Sequence, residues 1–565
     1  MNGTRLTFII LCISIFVKSY GQLENYKHQF VNPLRIEQSL SGNFGEPRSR
    51  HFHTGLDYRT WADGKDVVAI ADGYVYRVLV SPWGYGMAIY MNHPSGHTSV
   101  YGHLSKFTPE IEKFVTDLQY KNHSFAIDTV LPQDMFTFKR GETIAYSGNT
   151  GFSEGPHLHF EIRETDTEHP LNPLETVYHI KDDKKPEITK LFVYPLSEKS
   201  IVDGSNYRKE YKLEKSNGVY TYKNSIGIGG PVGIGLAYVD RMTGTTNRYG
   251  AKTVKLYLDN ELIYHSEVSE LDFEKQRCKN SVFDYDCYLN DKLHVHKLFV
   301  EPNNDLKIFP YLVNDGEFYI PDGSNGHVKI EVYDYAGNVS EVEINLSGRD
   351  ACYDNIVQSK NLLEWDKSYM LAEEECRVEI DSAVLFTDEK IEFKKVKEGK
   401  YSSVYKVGEE NIPQKKDFLI SFYLDDEFLS LADKMFVVRE REGKFRYINP
   451  IRSQRYISAS SSYFGQFYLW VDTIAPKIKP KNISQNRNMS NNSYIEVEIE
   501  DNFSGINQFD MYINDVWVLG QYDPRKHQLR YYFDDKMPKA DSYKLNVVVT
   551  DNCNNVGIYE VDFRY

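Results

Sequence analysis

The chain has 565 residues, too many for one hydrophobic core; at about 150 residues per domain it predicts three or four domains. A formal net charge of -15 with no basic block argues against nucleic acid and anionic membrane surfaces as partners. Hydrophobic content of 41% is that of an ordinary globular protein, but 43 Tyr and 31 Phe set among short Val/Ile/Tyr runs predict a mainly β fold.

The N-terminus carries Arg5, an apolar run over residues 6–17, and then Ser19-Tyr20-Gly21-Gln22, the layout of a secretory signal cleaved near Gly21. The run is shorter than the roughly 18 residues needed to span a bilayer, and no later stretch is long enough, so the mature chain is expected to have no transmembrane segment. Leu11 precedes Cys12 where a lipoprotein signal has a small residue, so lipid anchoring is not expected. In an exported chain Cys278 with Cys287, and Cys352 with Cys376, are spaced for disulfides, leaving Cys553 free or buried.

From residue 22 to about 183, short β-type runs such as Val67-Val-Ala-Ile70 and Met87-Ala-Ile-Tyr-Met91 alternate with Gly-rich turns, which predicts a compact β-sheet domain. The charged, proline-ended stretch at 181–186 reads as a linker. Beyond it, four landmarks recur in one order. Pro186-Glu-Ile188 answers to Pro476-Lys-Ile478, Asp240-Arg-Met-Thr-Gly244 to Asp501-Asn-Phe-Ser-Gly505, Leu256-Tyr-Leu-Asp-Asn260 to Met511-Tyr-Ile-Asn-Asp515, and Asp334-Tyr-Ala-Gly-Asn338 to Asp551-Asn-Cys-Asn-Asn555. The two copies, over 184–350 and 473–565, are expected to be immunoglobulin-like β-sandwiches, the first enlarged by insertions near 227–235 and 273–313. Residues 351–472 match neither copy and read as a further β-rich domain.

Eleven of the sixteen histidines fall before residue 180. A catalytic zinc is typically held by three His or carboxylate ligands with a fourth position open to water. In His157-Leu-His159 the two rings leave the same face of a β-type run. In His53-Thr-Gly55-Leu-Asp57 the glycine allows a bend that brings His53 and Asp57 to one point, and Tyr101-Gly-His103-Leu104 adds a fifth group. Chance alone gives about half an HxH pair in such a chain, and there are three. His51/His53 overlaps the candidate site, His294-Val-His296 has no partner upstream and reads as incidental, and His93-Pro-Ser-Gly-His97 reads as a hairpin tip.

The ordered set HxxxD, YxHL and GxxGxxxGPHLHFE, with Gly73, Gly141-Glu-Thr-Ile-Ala-Tyr-Ser-Gly148 and Asn172-Pro-Leu174, resembles the lysostaphin-type zinc endopeptidases of bacterial cell walls, family M23, over residues 45 to 175. The resemblance implies that His53, Asp57 and His159 bind one Zn2+ per chain and that His103 and His157 act as catalytic histidines off the metal. It further implies hydrolysis of the peptide cross-links between peptidoglycan stems. The exported chain is expected in the periplasm or cell envelope, or outside the cell, with the β-domains read as reaching an envelope protein partner. All five positions are filled. The alternatives carried alongside are a non-catalytic scaffold or amidase activator, and a secreted zinc protease acting on other proteins.

The stretch 107–138 is about 20 residues longer than the family pattern and is expected either to border the groove or to form a surface hairpin. Tyr90, Asn92, Tyr101 and Phe152 are candidates to line the groove or to pack the sheet. Asp240, Asp334, Asp501 and Asp551 read as turn caps first and as calcium ligands second.

Overall fold

Period-two alternation of apolar and polar side chains runs through most of the chain. The computed structural model, which describes residues 30–175, 182–350 and 361–565, is accordingly mainly β. The expected signal at 1–21, Cys12, the linker's first residue Lys181 and Cys352 lie outside the described residues. Among the described residues no helix is long and apolar enough to cross a membrane.

In the first domain an antiparallel sheet runs in the spatial order Leu40–Gly42, Leu56–Arg59, His157–Glu164, His97–Phe107, Met87–Asn92, Gly73–Val80 and Ile127–Val130. The three motif segments, far apart in sequence, thereby become neighbours. Leu158, Phe160 and Ile162 point into the core, so His157, His159 and Glu161 leave the other face.

The 107–138 stretch corrects both expectations for it, since none of its residues lines the cleft that gathers His53, Asp57, His103, His157 and His159, and it is not an idle hairpin. Pro at the first turn, Glu110 and Glu112 near the start and a left-handed cap at His123 define the helix Pro109–Asn122. Ile111, Val115 and Gln119, four residues apart, bury one face against the first domain. The outer side docks the last β-domain. Tyr120 Oη donates to Asp534 (2.6 Å), Trp517 stacks on His123 (centroids 5.3 Å) and meets Tyr120 edge-on, and Lys536 lies 3.6 Å from Asp117.

The two repeat copies share one plan. Each is a pair of packed sheets in which the last strand, Val339–Gly348 or Val556–Arg564, pairs antiparallel with the strand before it and parallel with an early strand. Both carry the same hairpin turn. Asp259 and Asn260 in the first and Asn514 and Asp515 in the second all have positive φ, the backbone of a type I′ turn, which short polar side chains tolerate. Residues 361–472 form a further two-sheet unit around Val378, Ile420, Phe422, Tyr405 and Phe467.

The Cys278–Cys287 disulfide is not formed. Cys278 is buried in the core shared with the first domain and donates to Asp305, whereas Cys287 packs among Phe192, Ala237 and Val295. Cys376 and Cys553 are also free and buried. His296, neutral through burial, sits between the Tyr238 and Tyr264 hydroxyls, a structural role consistent with an incidental pair.

Removing the Trp517 ring strips the docking face of its largest aromatic contact, a change that costs on the order of 3 kcal/mol in a well-packed site. In a Trp517→Ala chain, hydrogen–deuterium exchange over residues 109–123 should accelerate at least about tenfold while the strand His157–Glu164 keeps its protection.

Candidate metal centre and catalytic cleft

His159 sits opposite Asp57 on one neighbouring strand and opposite Gly102 on the other, so register alone brings the second and third motifs together. At Gly102 a Cβ would press on the Tyr85 ring at 3.1 Å and meet the His159 Cβ in ordinary contact at 3.5 Å. Gly55 serves close approach as well: a Cβ would come within 2.3 Å of the Phe160 carbonyl oxygen, so only glycine lets the 53–57 segment lie against the strand His157–Glu164.

His103 reaches the cleft by a different device. Tyr101 and Leu104 both face the core, and regular alternation would send residue 103 the way of Tyr101. Pairing slips on both sides of this point, and His103 adopts φ 59°, the strained left-handed region. The bulge turns its ring to the His159 side, with its backbone N–H bound to the Tyr85 carbonyl.

His53 Nε2, Asp57 Oδ1 and His159 Nδ1 converge, at 3.1 Å for His53 to Asp57, 2.9 Å for His159 to Asp57 and 3.2 Å between the two rings. Ligands about 2.0–2.1 Å from a tetrahedral zinc lie about 3.3 Å apart, so this donor set of two imidazoles and a carboxylate fits Zn2+. The outer nitrogens are both engaged. His53 Nδ1 donates to the Asn43 carbonyl and His159 Nε2 to Glu161, each at 2.8 Å, which directs the opposite nitrogen's lone pair inward. Against the effect of burial, His53 and His159 hold Asp57 well below the usual carboxylate range. Its second oxygen takes Arg48 at 2.9 Å.

His103 and His157 lie beside this triad with ring centroids 4.7 Å apart. Each anchors Nδ1 on a backbone carbonyl, Thr150 for His103 and Gly155 for His157, both at 2.8 Å, and His157 Nε2 is 3.6 Å from Asp57. Burial and the other imidazoles push His103 down to about 3, and burial lowers His157 as well, so both rings are neutral near pH 7. The five predicted residues therefore meet in one cleft of about 960 Å³.

The four residues read as either lining the groove or packing the sheet divide between the two roles. Tyr90 and Tyr101 are buried in the sheet and Asn92 bonds to Thr98 and Tyr74; only Phe152 of that group borders the cleft, along with Trp61, Tyr85, Arg48 and Asn247.

Sequence reasoning passed over the supports. Glu161 is fully buried and gathers His159, Thr54, Tyr85 and Arg163. The signal for it was present, since Glu161 continues the period-two series 157, 159, 161. Asn43, Thr150, Ser153 and Arg525 carry none, because their roles come from tertiary contact. Arg525 reaches from the last β-domain to the Asn149 carbonyl (2.7 Å) and the Ser153 carbonyl, clamping the loop that supplies the acceptors for His103 and His157.

Residues 51–119 and 127–173 match Peptidase family M23, and residues 360–472 match the Zu5-like domain. The match to Peptidase family M23 thus falls on the first domain, over the segments that carry all five cleft residues. Relatives include an uncharacterized metalloprotease of Haemophilus influenzae, 33% identical over 137 residues, and the DD-carboxypeptidase/endopeptidase Mpg of Neisseria meningitidis, 32% identical over 138 residues. The matches cover 23% and 24% of this chain; the chain spans about a quarter of the length of these curated relatives, 24% of each. Among solved structures, the catalytic domain of lysostaphin from Staphylococcus simulans aligns at 24% identity over 27% of this chain and 94% of that chain, with TM-score 0.19.

Replacing Glu161 by Gln keeps the volume but weakens the acceptor that orients His159. Zinc affinity, read by competition with a chromophoric chelator, should fall about 10- to 100-fold in the Glu161→Gln chain.

Proposed function

We propose that this chain is an exported, zinc-dependent endopeptidase that hydrolyses the peptide cross-links of bacterial peptidoglycan. The observation that carries the reading is the convergence of His53, Asp57 and His159 at 2.9–3.2 Å beside two further histidines with inward-facing nitrogens. The family match and the printed name of the Neisseria relative, a DD-carboxypeptidase/endopeptidase, support the cell-wall substrate.

Zinc held by His53, Asp57 and His159 would supply Lewis-acid polarisation of a scissile carbonyl and acidify a water. The chain's own groups do the rest. With Nδ1–H committed to the Thr150 and Gly155 carbonyls, His103 and His157 each present Nε2 as a proton acceptor. One takes the proton of the attacking water. That proton passes to the other, which then hydrogen-bonds the developing oxyanion and delivers it to the departing amine, leaving both rings neutral. Trp61 and Phe152, 73% and 66% exposed at the cleft rim, offer flat apolar surface to a peptide stem. In this reading the three β-units hold the cleft at the envelope against a partner.

The test is digestion of purified cross-linked muropeptides by the full chain, with products read by mass spectrometry. Cleavage should vanish with a chelator and return with Zn2+. His103→Ala should slow it by about 10²- to 10⁴-fold while zinc still binds; His159→Ala should lose both zinc and activity. A fully active His159→Ala chain overturns the metal assignment, and release of terminal residues alone makes the enzyme a carboxypeptidase.

A further inference from the structure

The repeat places three aspartates at corresponding positions of each copy: Asp182, Asp240 and Asp334 in the first, and Asp472, Asp501 and Asp551 in the second. In each set, one carboxylate oxygen per residue lies within 4.8 Å of the others. Turn capping explains part of the first cluster. Asp334 accepts from the Asn338 backbone and side-chain N–H groups, and Asp182 from the Thr243 and Lys184 amides. It does not explain Asp240. That residue is wholly buried, and apart from the amide of its own neighbour Arg241 no donor reaches either carboxylate oxygen. Among the described residues no basic side chain forms an ion pair with any of the three.

Three carboxylates gathered without a counter-charge, two of them buried and one half-buried, repel one another and lose hydration, a combination that proteins resolve with a bound cation or a proton. We propose that Asp182, Asp240 and Asp334 bind a calcium ion. The donors are all oxygen, which selects a hard cation, and three protein carboxylates gathered in one site suit Ca2+, which takes six to eight oxygen ligands in flexible geometry, better than Mg2+, which keeps most of its waters and is held by one or two carboxylates. Burial, together with the charges of Asp334 and Asp182, raises Asp240 to about 7.

The site stands at the root of the 240–251 loop, where Asp240 pairs with Tyr249. That loop grips the first domain. Asn247 donates to the Ser41 carbonyl (2.6 Å), Tyr249 Oη to that of Leu40 (3.0 Å), and Gly250 exchanges hydrogen bonds with the Asn43 side chain (3.0 and 3.1 Å). Asn43 in turn accepts the His53 Nδ1 proton, and Asn247 borders the cleft. Calcium binding thus stiffens a support of the metal centre from a different domain. The cation site does not depend on the peptidase reading.

Full-length, zinc-loaded chain freed of other divalent ions is dialysed against Ca2+ and melted with and without about 1 mM CaCl2. Bound calcium and a midpoint rise of several degrees are expected, and Asp240→Asn should lose one equivalent of calcium and most of the rise. His53→Ala should keep its calcium. Absence of bound calcium in the wild-type chain, or an Asp240→Asn chain that binds as much as wild type, overturns the proposal in favour of a shared proton. Equal binding of Mg2+ overturns the choice of calcium. If Asp240→Asn fails to accumulate, terbium luminescence in the wild-type chain, displaced by Ca2+, decides the same question.

Discussion

Everything near the cleft follows from the need to satisfy buried imidazoles at both nitrogens. A histidine presenting one nitrogen inward must give the other a partner, or ring and tautomer are left unfixed. Four histidines do so here, and their acceptors come from three local structures: the Asn43 carbonyl after an edge strand, the Thr150 and Gly155 carbonyls of one loop, and the Glu161 carboxylate on the strand of its own histidine. The geometry of the candidate metal centre is therefore only as good as the placement of those acceptors.

That dependence explains how an appended β-structure becomes part of the site. The first sandwich grips Asn43, the last one clamps the 149–155 loop through Arg525, and the helix Pro109–Asn122 is the platform on which the last one sits. Glu161 shows the same logic within the first domain. Burial alone would drive its carboxyl towards the neutral form, but Arg163 and His159 hold it ionised, and donors from Thr54 and Tyr85 complete its shell.

Much of this was legible in the residues. The mainly β architecture follows from alternation and turn chemistry, and the five site residues follow from motif order. His157 and His159 could be placed on one face because a strand has period two. His103 could be named but not aimed: its orientation comes from a bulge, which depends on how two neighbouring strands pair and not on the residues flanking it. The same limit hid the helix's role. Its buried face is written in Ile111, Val115 and Gln119, whereas its docking partners are about 400 residues away in the chain. Cys278 and Cys287 were misjudged because short spacing says nothing about two thiols that enter separate cores.

The Arg525 clamp bears on the order of events during synthesis. The loop it holds ends at residue 155, but its anchor is specified 372 residues beyond Ser153. A ribosome adding about 5–20 residues per second takes roughly 20 to 70 seconds to cover that distance. Throughout that interval the histidine-bearing strand exists without its distal brace, so the cleft acquires its full set of contacts only after the chain has emerged past Arg525 and folded back on itself.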